Sequence, residues 1–449
     1  MSAGSTSGDG AAGADARALL TELYRAAVAG ANVESLTAKA VATVPMERRH
    51  RVWILAIGKA AYVMARAAVG VVHRGVAEVA GGIVVGPDEA EAPDGNVSVV
   101  VGDHPVPGNR SFTAAAQIQR MLKQKRADDV FIVLLSGGAS SLIGAPMRGI
   151  TETEFSRLYE MVLASGLDIH DMNAIRKRFS LWGAGRLALK LAPNRTHCFA
   201  VSDVTGDDLG TIGSGPVVPD PTTAQEVIDL LKQVKLFTKV APGFRTLLTD
   251  TVRGAAPETP KSSHPAFAHV EAKVIANNAG ALRAVAKAAR KLGANPVVHD
   301  NPVTGAAADA GVLIAEQLLS AREAAASGSL HCVVWGGETT VALDGAAPPG
   351  GRCQELALAA ARHLSAAGDR ASGITLLAAG TDGRDGDTDA AGAIVDAGTW
   401  RAIGAAGLDA DAALRKHESH AALSATGALF RPGLTGTNVM DVMIGWIRR

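Results

Sequence analysis

Apolar residues along the chain alternate between short continuous runs and longer stretches with helical spacing. The runs VWILAIG (52–58), DVFIVLLS (129–136) and HCFAVSD (197–203) are apolar almost throughout, which is typical of strands buried on both faces of a sheet. Between such runs, segments such as RSFTAAAQIQRMLKQ (110–124) repeat apolar residues at three and four, as amphipathic helices do. The alternation predicts an α/β fold, beginning with a Rossmann-like parallel sheet that has helices on both faces.

A second alternation follows the segment RGAAPETPKSSHP (253–265), which is rich in Pro, Ser and Ala and lacks periodicity. This composition is typical of a domain junction or a long surface loop. Beyond it, strands are predicted in VEAKVIANN (270–278), HCVVWGG (331–337), TVALDG (340–345) and GITLLAAG (373–380). We therefore predict a disordered tail over 1–16, an N-terminal Rossmann-like domain over 17–252 and a C-terminal α/β domain over 266–449.

Composition narrows the class of protein. The chain has 449 residues, enough for two or three domains, and its 44 basic residues balance 44 acidic residues. Zero net charge and 4% aromatic residues argue against a nucleic-acid partner, and no run approaches the roughly 18 apolar residues of a membrane span. The three cysteines form no C-x-x-C pair and the chain begins with no targeting signal, so we expect a soluble cytoplasmic protein.

The strand predicted at 129–136 is followed by small residues, and the segment 136–141 reads SGGASS. Glycines allow backbone N–H groups to turn inward, and the serine hydroxyls add donors, so the loop predicts a nest for phosphate oxygens. The predicted phosphate-binding residues are Ser136, Gly137, Gly138, Ala139, Ser140 and Ser141. A plain strand-to-helix turn is the other interpretation. A serine nucleophile elbow is excluded because the second glycine of G-x-S-x-G is missing.

Lys59 lies just past the first predicted strand, in AIGKAA (56–61). A Walker A loop would need Gly at position 53 and Ser or Thr at position 60, where the chain has Trp53 and Ala60. A lysine at the carboxyl end of a strand, beside a helix N-terminus, is still well placed to meet an anion as a point charge. A solvated lysine is the alternative.

Aspartates follow two other predicted strands. Asp203 and Asp207 lie in VSDVTGDD (201–208), and Asp382 lies in GTDGRDGDTDAAGA (380–393). Carboxylates at such positions suit a divalent metal or a general base acting on a hydroxyl. Capping of helices and turns is the other interpretation.

Two charged residues of the C-terminal half complete the candidates. Glu338 lies in the glycine turn WGGETTV (335–341), which alone indicates only a hairpin. Arg352 is predicted at the start of an amphipathic helix, where it meets the positive end of the helix dipole. Its position therefore predicts an anionic partner such as a carboxylate or a phosphate, with a purely structural role as the alternative.

These motifs occur in one order along the chain: SGGASSL, NAIRKRFS, SDVTGDD, SGPVVPDPTT, GGETTV, GGRCQELAL, GTDGRDGDTDAAGA and TGTNVMDV. Together they resemble the glycerate 2-kinases whose C-terminal part is called the MOFRL domain. The resemblance covers nearly the whole chain outside the predicted tail. It implies phosphorylation of D-glycerate to 2-phosphoglycerate by ATP, two α/β domains and an active site in the interdomain cleft. The family's essential lysine and arginine would fall on Lys59 and Arg352.

On this basis Lys59 and the 136–141 loop are expected to hold the ATP phosphates with Mg²⁺. Arg352 would bind the glycerate carboxylate or the transferring phosphoryl group. Asp203 or Asp207 would ligate the metal or accept the hydroxyl proton. The polar groups of second choice are Asn173, Arg176, Glu338 and Asp382. The expected partners are glycerate and ATP, and a homodimer is one option for the oligomeric state.

The chain departs from the family pattern at three places. Gly183-Ala184-Gly185 stands where Lys-Gly-Gly is common, Cys353 stands where Asn is usual, and Gly108-Asn109 stands where an acidic pair is common. The acceptor could therefore be a related small hydroxy acid. A hydroxypyruvate reductase is a weaker alternative, because the G-x-G-x-x-G that a nicotinamide dinucleotide requires is absent. A non-catalytic sensor of sugar acids or nucleotides would not need so many carboxylates beside its anion loops.

Overall fold

The computed structural model describes residues 7–343 and 348–449, with side chains from residue 15 onward. The chain divides into two compact units. The parallel-sheet unit comprises Val33–Ala276, and the mixed-sheet unit comprises Met1–Asn32 together with Asn277–Arg449.

Each unit is built on one sheet, and helices connect most of the strands. The strands are β1 Arg51–Ile57, β2 Glu78–Gly86, β3 Val97–Val101, β4 Val130–Leu135, β5 Arg195–Val201, β6 Val270–Ala276, β7 Asn295–Val298, β8 Leu330–Gly337, β9 Ile374–Gly380, β10 Gly392–Asp396, β11 Leu429–Phe430 and β12 Asp441–Arg448. The α-helices are α1 Ser7–Gly30, α2 Val33–Val41, α3 Ala61–Arg74, α4 Asn109–Leu122, α5 Ala139–Leu142, α6 Glu152–Leu163, α7 Ile169–Arg178, α8 Arg186–Leu191, α9 Ala224–Gln233, α10 Pro242–Val252, α11 Asn278–Lys291, α12 Ala307–Ala324, α13 Arg352–Ala366, α14 Thr399–Ala405, α15 Ala410–Arg415 and α16 Ser419–Ser424. Short 3₁₀ turns occur at Ile212–Ser214, Pro265–His269 and Gly368–Ala371.

The first sheet is parallel throughout, with the order β3-β2-β1-β4-β5-β6. This is the Rossmann strand order, so the prediction for the N-terminal part is confirmed. The central strands β1, β4 and β5 are buried along almost their whole length, as their continuous apolar runs predicted. A separate apolar cluster joins α6, α7, α9 and α10.

The second sheet is mixed, with the order β11-β10-β9-β12-β8-β7, and only the β7–β8 pair is parallel. The α/β class is thus confirmed for this part as well. Strand β12 lies between β8 and β9 in this sheet, and the sequence patterns above do not predict it. The strand predicted over 340–345 is wrong for its described part, because Thr340 forms only an isolated bridge and residues 341–343 have no regular structure. Residues 344 and 345 lie outside the described part.

The unit boundaries differ from the predicted domains, 17–252 and 266–449. Strand β6 pairs along its length with β5, so the sheet of the first unit continues to Ala276. The Pro-rich segment 253–265 is not the junction. It is fastened within the first unit by Glu258, which pairs with Arg178 at 2.8 Å, and by Lys261, which donates to the Asp220 carbonyl at 2.9 Å.

The N-terminal helix belongs to the second unit rather than to the first. Helix α1 packs closely against α11, where Gly30 leaves no room for a side chain beside Ala284. Tyr24 and Arg17 also donate hydrogen bonds to the carbonyls of Gly380 and Leu429, at 2.8 Å and 2.7 Å. The first helix of the chain thus packs on a sheet whose strands come more than 250 residues later in the sequence.

The predicted disordered tail, 1–16, is also corrected. Helix α1 begins at Ser7, ten residues before residue 17, where the N-terminal domain was predicted to start. Residues 1–6 lie outside the described part. Extending a helix that already exists costs much less than nucleating one, so the small residues at its start can continue the helix. None of the described helices is long and apolar enough to cross a membrane.

Candidate active site

Lys59 and the 136–141 loop lie next to each other at the carboxyl edge of the parallel sheet. Lys59 follows β1 and the loop follows β4, and these two strands are neighbours in register along their length. In the Rossmann order, β1 and β4 are the strands between which the strand order reverses, and ligands of such sheets bind in the crevice at that point. We call the cluster of Lys59, the 136–141 loop, Asp203, His104 and Arg176 the Lys59 site.

Ser136 fastens the two loops of this site together. Its Oγ accepts a hydrogen bond from the Ala60 N–H at 3.0 Å, and the Lys59 N–H donates to the Gly137 carbonyl at 2.9 Å. Gly58 is required beside it, because a Cβ there would overlap Ser136, and its φ of 129° favours glycine. Ser136 is buried, so its hydroxyl positions the loop rather than facing a ligand.

The other two predicted hydroxyl donors are engaged within the protein as well. Ser141 Oγ donates to the Gly138 carbonyl at 3.1 Å, and Ser140 Oγ shares a short hydrogen bond with Ser214 Oγ. The N–H groups of Gly137 and Gly138, by contrast, have no hydrogen-bond partner among the residues that the structure describes. Gly138 has a φ of 86°, and Ala139 begins the single turn of α5. The loop therefore presents backbone donors, which is what a phosphate nest requires.

Asp203 lies directly against Gly137. A Cβ on that glycine would overlap the Asp203 carboxylate, so only glycine allows this approach. Burial raises the pKa of Asp203, while the nearby Lys59 ammonium opposes this effect. A carboxylate with a raised pKa beside a cation and open N–H donors is typical of a functional site.

Arg176, one of the second-choice residues, lies in the same region on α7. Its guanidinium is buried, stacks over the Tyr159 ring at 4.8 Å and contacts Met172 Sδ at 3.9 Å. Its Nε has no hydrogen-bond partner in the described part of the chain. Desolvation lowers the pKa of Arg176, because little negative charge compensates it.

His104 joins this site although the sequence patterns did not select it. Its imidazole lies beside Gly138, where an added Cβ would come within 2.9 Å of His104 Cδ2. Desolvation, then the positive charges of Lys59 and Arg176, lower the pKa of His104. An imidazole ring can donate a hydrogen bond near the anion nest. The signal in the sequence is weak: a histidine shortly after β3, in a loop at the same edge of the sheet.

Two other predicted residues lie near this edge. Asn173 is one turn before Arg176 on α7, is buried, and donates to the Thr211 carbonyl at 3.3 Å. Asp207 lies in the turn after β5 with a φ of 55°, and its N–H donates to the Val204 carbonyl at 3.1 Å.

In the mixed-sheet unit, Arg352 pairs with two carboxylates of the protein itself. Its Nε and Nη2 donate to the two carboxylate oxygens of Asp441 at 2.6 Å and 2.9 Å, and its Nη1 lies 2.9 Å from Glu338. The carboxylate of Asp441 is 1% exposed, whereas the Arg352 side chain is 34% exposed. Burial alone would lower the pKa of Arg352, but the two carboxylates outweigh it and raise the pKa. We call these three residues the Arg352 site.

Asp441 is the functional candidate that the sequence analysis missed. It is the first residue of β12, and β12 is the strand that was not predicted. Its carboxylate fixes the plane and direction of the guanidinium. Within residues 15–343 and 348–449, Asp441 and Glu338 use three of the five N–H groups of Arg352, which leaves two for a ligand.

Arg352 and Glu338 line a cavity of about 530 Å³ in this unit, together with Asp385 and the Glu355–His417 pair. Asp385 caps α13, because its carboxylate accepts the N–H groups of Cys353 and Gln354 at 3.1 Å and 2.8 Å. Burial raises the pKa of Asp385 to about 6, against those hydrogen bonds. Asp385 thus caps a helix, which was the other interpretation for the aspartates of the segment 380–393.

Asp382 is not among the residues that line this cavity. It lies after β9, where its carboxylate accepts the Arg384 N–H at 3.0 Å.

The Lys59 site offers Mg²⁺ one carboxylate, that of Asp203. No group of three or more His, Cys, Asp or Glu side chains suited to a metal occurs in residues 15–343 and 348–449. Mg²⁺ commonly binds through one or two carboxylates, phosphate oxygens of the substrate and waters. Asp203 beside the open N–H groups of the 136–141 loop fits that pattern.

Comparison with known proteins gives the family. A model described as a domain of unknown function, DUF4147, matches residues 19–249, and the MOFRL family model matches residues 331–441. A glycerate 2-kinase of Pyrococcus horikoshii is 34% identical over 89% of this chain and 88% of its own length. The chain belongs to the glycerate 2-kinase family.

A solved structure extends this relationship to the fold. The glycerate kinase of Thermotoga maritima superposes with a TM-score of 0.84 at 31% identity, over 96% of this chain and 99% of that chain. A protein of Agrobacterium vitis that is 35% identical, over 95% of this chain and 93% of its own length, has a provisional name of hydroxypyruvate reductase. The glycerate 2-kinase family thus accounts for both units of the chain, and the resemblance noted in the sequence is confirmed.

Proposed function

We propose that this protein transfers the γ-phosphoryl group of ATP to the 2-hydroxyl group of D-glycerate. The observation that carries the proposal is the Lys59 site. In a member of the glycerate 2-kinase family, a lysine, a glycine loop with open N–H groups and a carboxylate converge between β1 and β4. Phosphoryl transfer needs positioning and charge neutralisation more than covalent chemistry, and these groups supply both.

In the proposed reaction, the ATP phosphates lie on the N–H groups of Gly137 and Gly138. Lys59 and the buried Arg176 supply positive charge there, and Arg176 is well suited because little negative charge in the protein competes for it. Burial strengthens the interaction of Arg176 with a phosphate relative to water, whereas Lys59 is exposed.

Two roles are open to Asp203, and both need its ionised form. It can hold Mg²⁺ together with the ATP phosphates, or it can accept the proton of the attacking hydroxyl group. When bound, Mg²⁺ neutralises the charge that develops on the transferring phosphoryl group. Asp207 is a second carboxylate after the same strand and is proposed only as a further ligand.

Arg352 is proposed to bind the carboxylate of glycerate or the transferring phosphoryl group through its two remaining N–H groups. Asp441 and Glu338 hold the guanidinium in one orientation, so the free N–H groups face one direction before the substrate arrives. A lysine could not replace it, because a point charge cannot form the paired contacts of the guanidinium fork.

A coupled ATP-consumption assay with Mg²⁺ tests the proposal. Parallel reactions would contain D-glycerate, L-glycerate, other small hydroxy acids, and hydroxypyruvate with NADH or NADPH. ATP use that depends on D-glycerate is the expected result. ATP use with another hydroxy acid alone would show that this acid, and not D-glycerate, is the phosphoryl acceptor. Oxidation of the dinucleotide without ATP use would overturn the proposed function.

A further inference from the structure

A second cavity lies in the mixed-sheet unit, and none of its lining residues is among those proposed to act on ATP and glycerate. Its volume is about 630 Å³, within the usual range for small-molecule sites. One wall is a face of α1 on which the lining residues recur at three and four positions, and the other wall is the segment 429–435. We call it the α1 cavity.

Three arginines line the α1 cavity, namely Arg17 and Arg25 from α1 and Arg431 from the opposite wall. No aspartate or glutamate is among the described residues that line it. Like charges collected in one concave site raise the local concentration of anions. The positive charge is notable because the net charge of the whole chain is zero.

The contacts of these arginines leave much of that charge uncompensated. Arg17 Nη2 donates to the carbonyl of Leu429 at 2.7 Å, which orients the guanidinium but supplies no negative charge. Arg431 Nε pairs with Asp389 at 2.7 Å, and Asp389 lies outside the lining of the cavity. The Arg25 side chain is exposed, and it makes no ion pair or hydrogen bond within residues 15–343 and 348–449.

Desolvation lowers the pKa of Arg17, and no neighbouring carboxylate offsets this effect. A bound anion would supply the missing compensation. The remaining walls suit an organic ligand rather than a bare ion, because Val28 and Pro432 add apolar surface and Thr435 adds a polar edge. The ring of Tyr24 packs edge-on against Phe430 at 4.9 Å, which gives the cavity a rigid side.

We propose that the α1 cavity binds a small organic anion that carries two carboxylate or phosphate groups, held by Arg17, Arg25 and Arg431. Guanidinium groups pair with such groups through two parallel hydrogen bonds. The inference stands independently of the proposed kinase function, since it uses none of the same residues.

Isothermal titration calorimetry at constant ionic strength would test it with malonate, inorganic phosphate and the neutral analogue malonamide. The wild-type protein should bind at least one of the two anions with one site per chain, and malonamide should not bind. Arg25→Met should weaken anion binding by at least about tenfold, because one charge-assisted pair is lost. Since Arg25 is exposed and without a partner in the described part, this variant should keep the melting temperature of the wild type.

Two further variants make the result specific. Arg283→Met removes an exposed arginine of the same unit on α11, and it should bind the anions as the wild type does. Lys59→Met reports binding at the Lys59 site, so malonate or phosphate binding that survives in this variant and is weakened by Arg25→Met supports the α1 cavity. Loss of binding in Lys59→Met, equal binding by Arg25→Met and the wild type, or no binding of either anion would each overturn the proposal.

Discussion

Asp441→Asn is the most informative single change in the Arg352 site. The wild-type carboxylate accepts two charge-assisted hydrogen bonds from Arg352, at 2.6 Å and 2.9 Å. Asparagine keeps the size of the side chain but offers one oxygen acceptor and an amide that would point its N–H groups at the guanidinium. The fork would therefore be lost, while Glu338 would keep its contact with Nη1 at 2.9 Å.

The expected loss of stability in Asp441→Asn follows from the burial of Asp441 and Arg352. Removing one member of a fully buried ion pair costs about 3–5 kcal/mol. Asp441 is buried, but the Arg352 side chain is 34% exposed, so water recovers part of that cost. We expect the free energy of unfolding to fall by roughly 2–3 kcal/mol. Turnover should fall more steeply, by about 100-fold, because a displacement of about 1 Å at a positioning group has an effect of that size.

The assay is kcat/KM with D-glycerate and ATP, measured beside urea unfolding. Asp411→Asn is the matched control, since it breaks an ion pair with Arg362 at 3.0 Å whose partners are both exposed. That change should cost less than about 1 kcal/mol and leave turnover unaltered. If Asp441→Asn retains both wild-type turnover and wild-type stability, the carboxylate does not position Arg352 and the reasoning is refuted.

Four further outcomes are expected. Gly137→Ala places a Cβ against the Asp203 carboxylate and should lower kcat by more than about tenfold with an unchanged far-UV spectrum. Lys59→Met should lower kcat/KM by about 100-fold or more, because one charge on the phosphates is lost; near-normal kcat/KM would exclude the role. Since burial raises the pKa of Asp203 and activity needs its ionised form, kcat should decline on acidification at a pH above the usual aspartate range; a profile flat down to pH 4 would contradict this. Lys177→Met leaves the buried carboxylate of Asp220 without its partner at 2.8 Å and should cost about 3–5 kcal/mol in urea unfolding.

The loss of stability expected in Lys177→Met also depends on pH. Burial opposes ionisation of Asp220, but Lys177 and the Thr222 hydroxyl outweigh it and lower the pKa. A carboxyl group whose pKa is lowered by folding stabilises the protein above its unfolded pKa of about 3.9, and the contribution is lost as the pH falls further. The difference between wild type and Lys177→Met should therefore shrink below pH 4. A difference that stays constant there would argue against the ion pair.

Controls are available in the same unit for the glycine and lysine variants. Gly95 has open space around its Cα, so Gly95→Ala should be neutral. Lys39 is exposed on α2, and Lys39→Met should leave kcat/KM unchanged.

Strands that are apolar throughout could be predicted from the sequence because burial on both faces leaves a continuous run. This is true of β1, β4 and β5, and their carboxyl ends led directly to Lys59, the 136–141 loop and Asp203. The position of Arg352 at the start of α13 was also predicted from the sequence, and its role in binding an anion stays a prediction.

Pairings over long distances in sequence could not be predicted. Asp441 lies 89 residues from Arg352, and only the pairing of β12 with β8 and β9 brings it to that position. Helix α1 likewise lies far in sequence from the α11 surface that it covers, so the apolar residues of α1 could not show where it packs. The serine hydroxyls of the 136–141 loop were expected to face a ligand. Their composition could not show that Ser136 and Ser141 are buried and bonded to the protein itself.

The measurement that tests the central claim most directly is identification of the product by ³¹P nuclear magnetic resonance. Purified protein would be incubated with ATP, Mg²⁺ and D-glycerate, with Lys59→Met as the parallel sample. We expect 2-phosphoglycerate and ADP in equal amounts from the wild type, and almost none from the variant. Formation of 3-phosphoglycerate, the absence of any phosphorylated acid, or equal product from Lys59→Met would contradict the account.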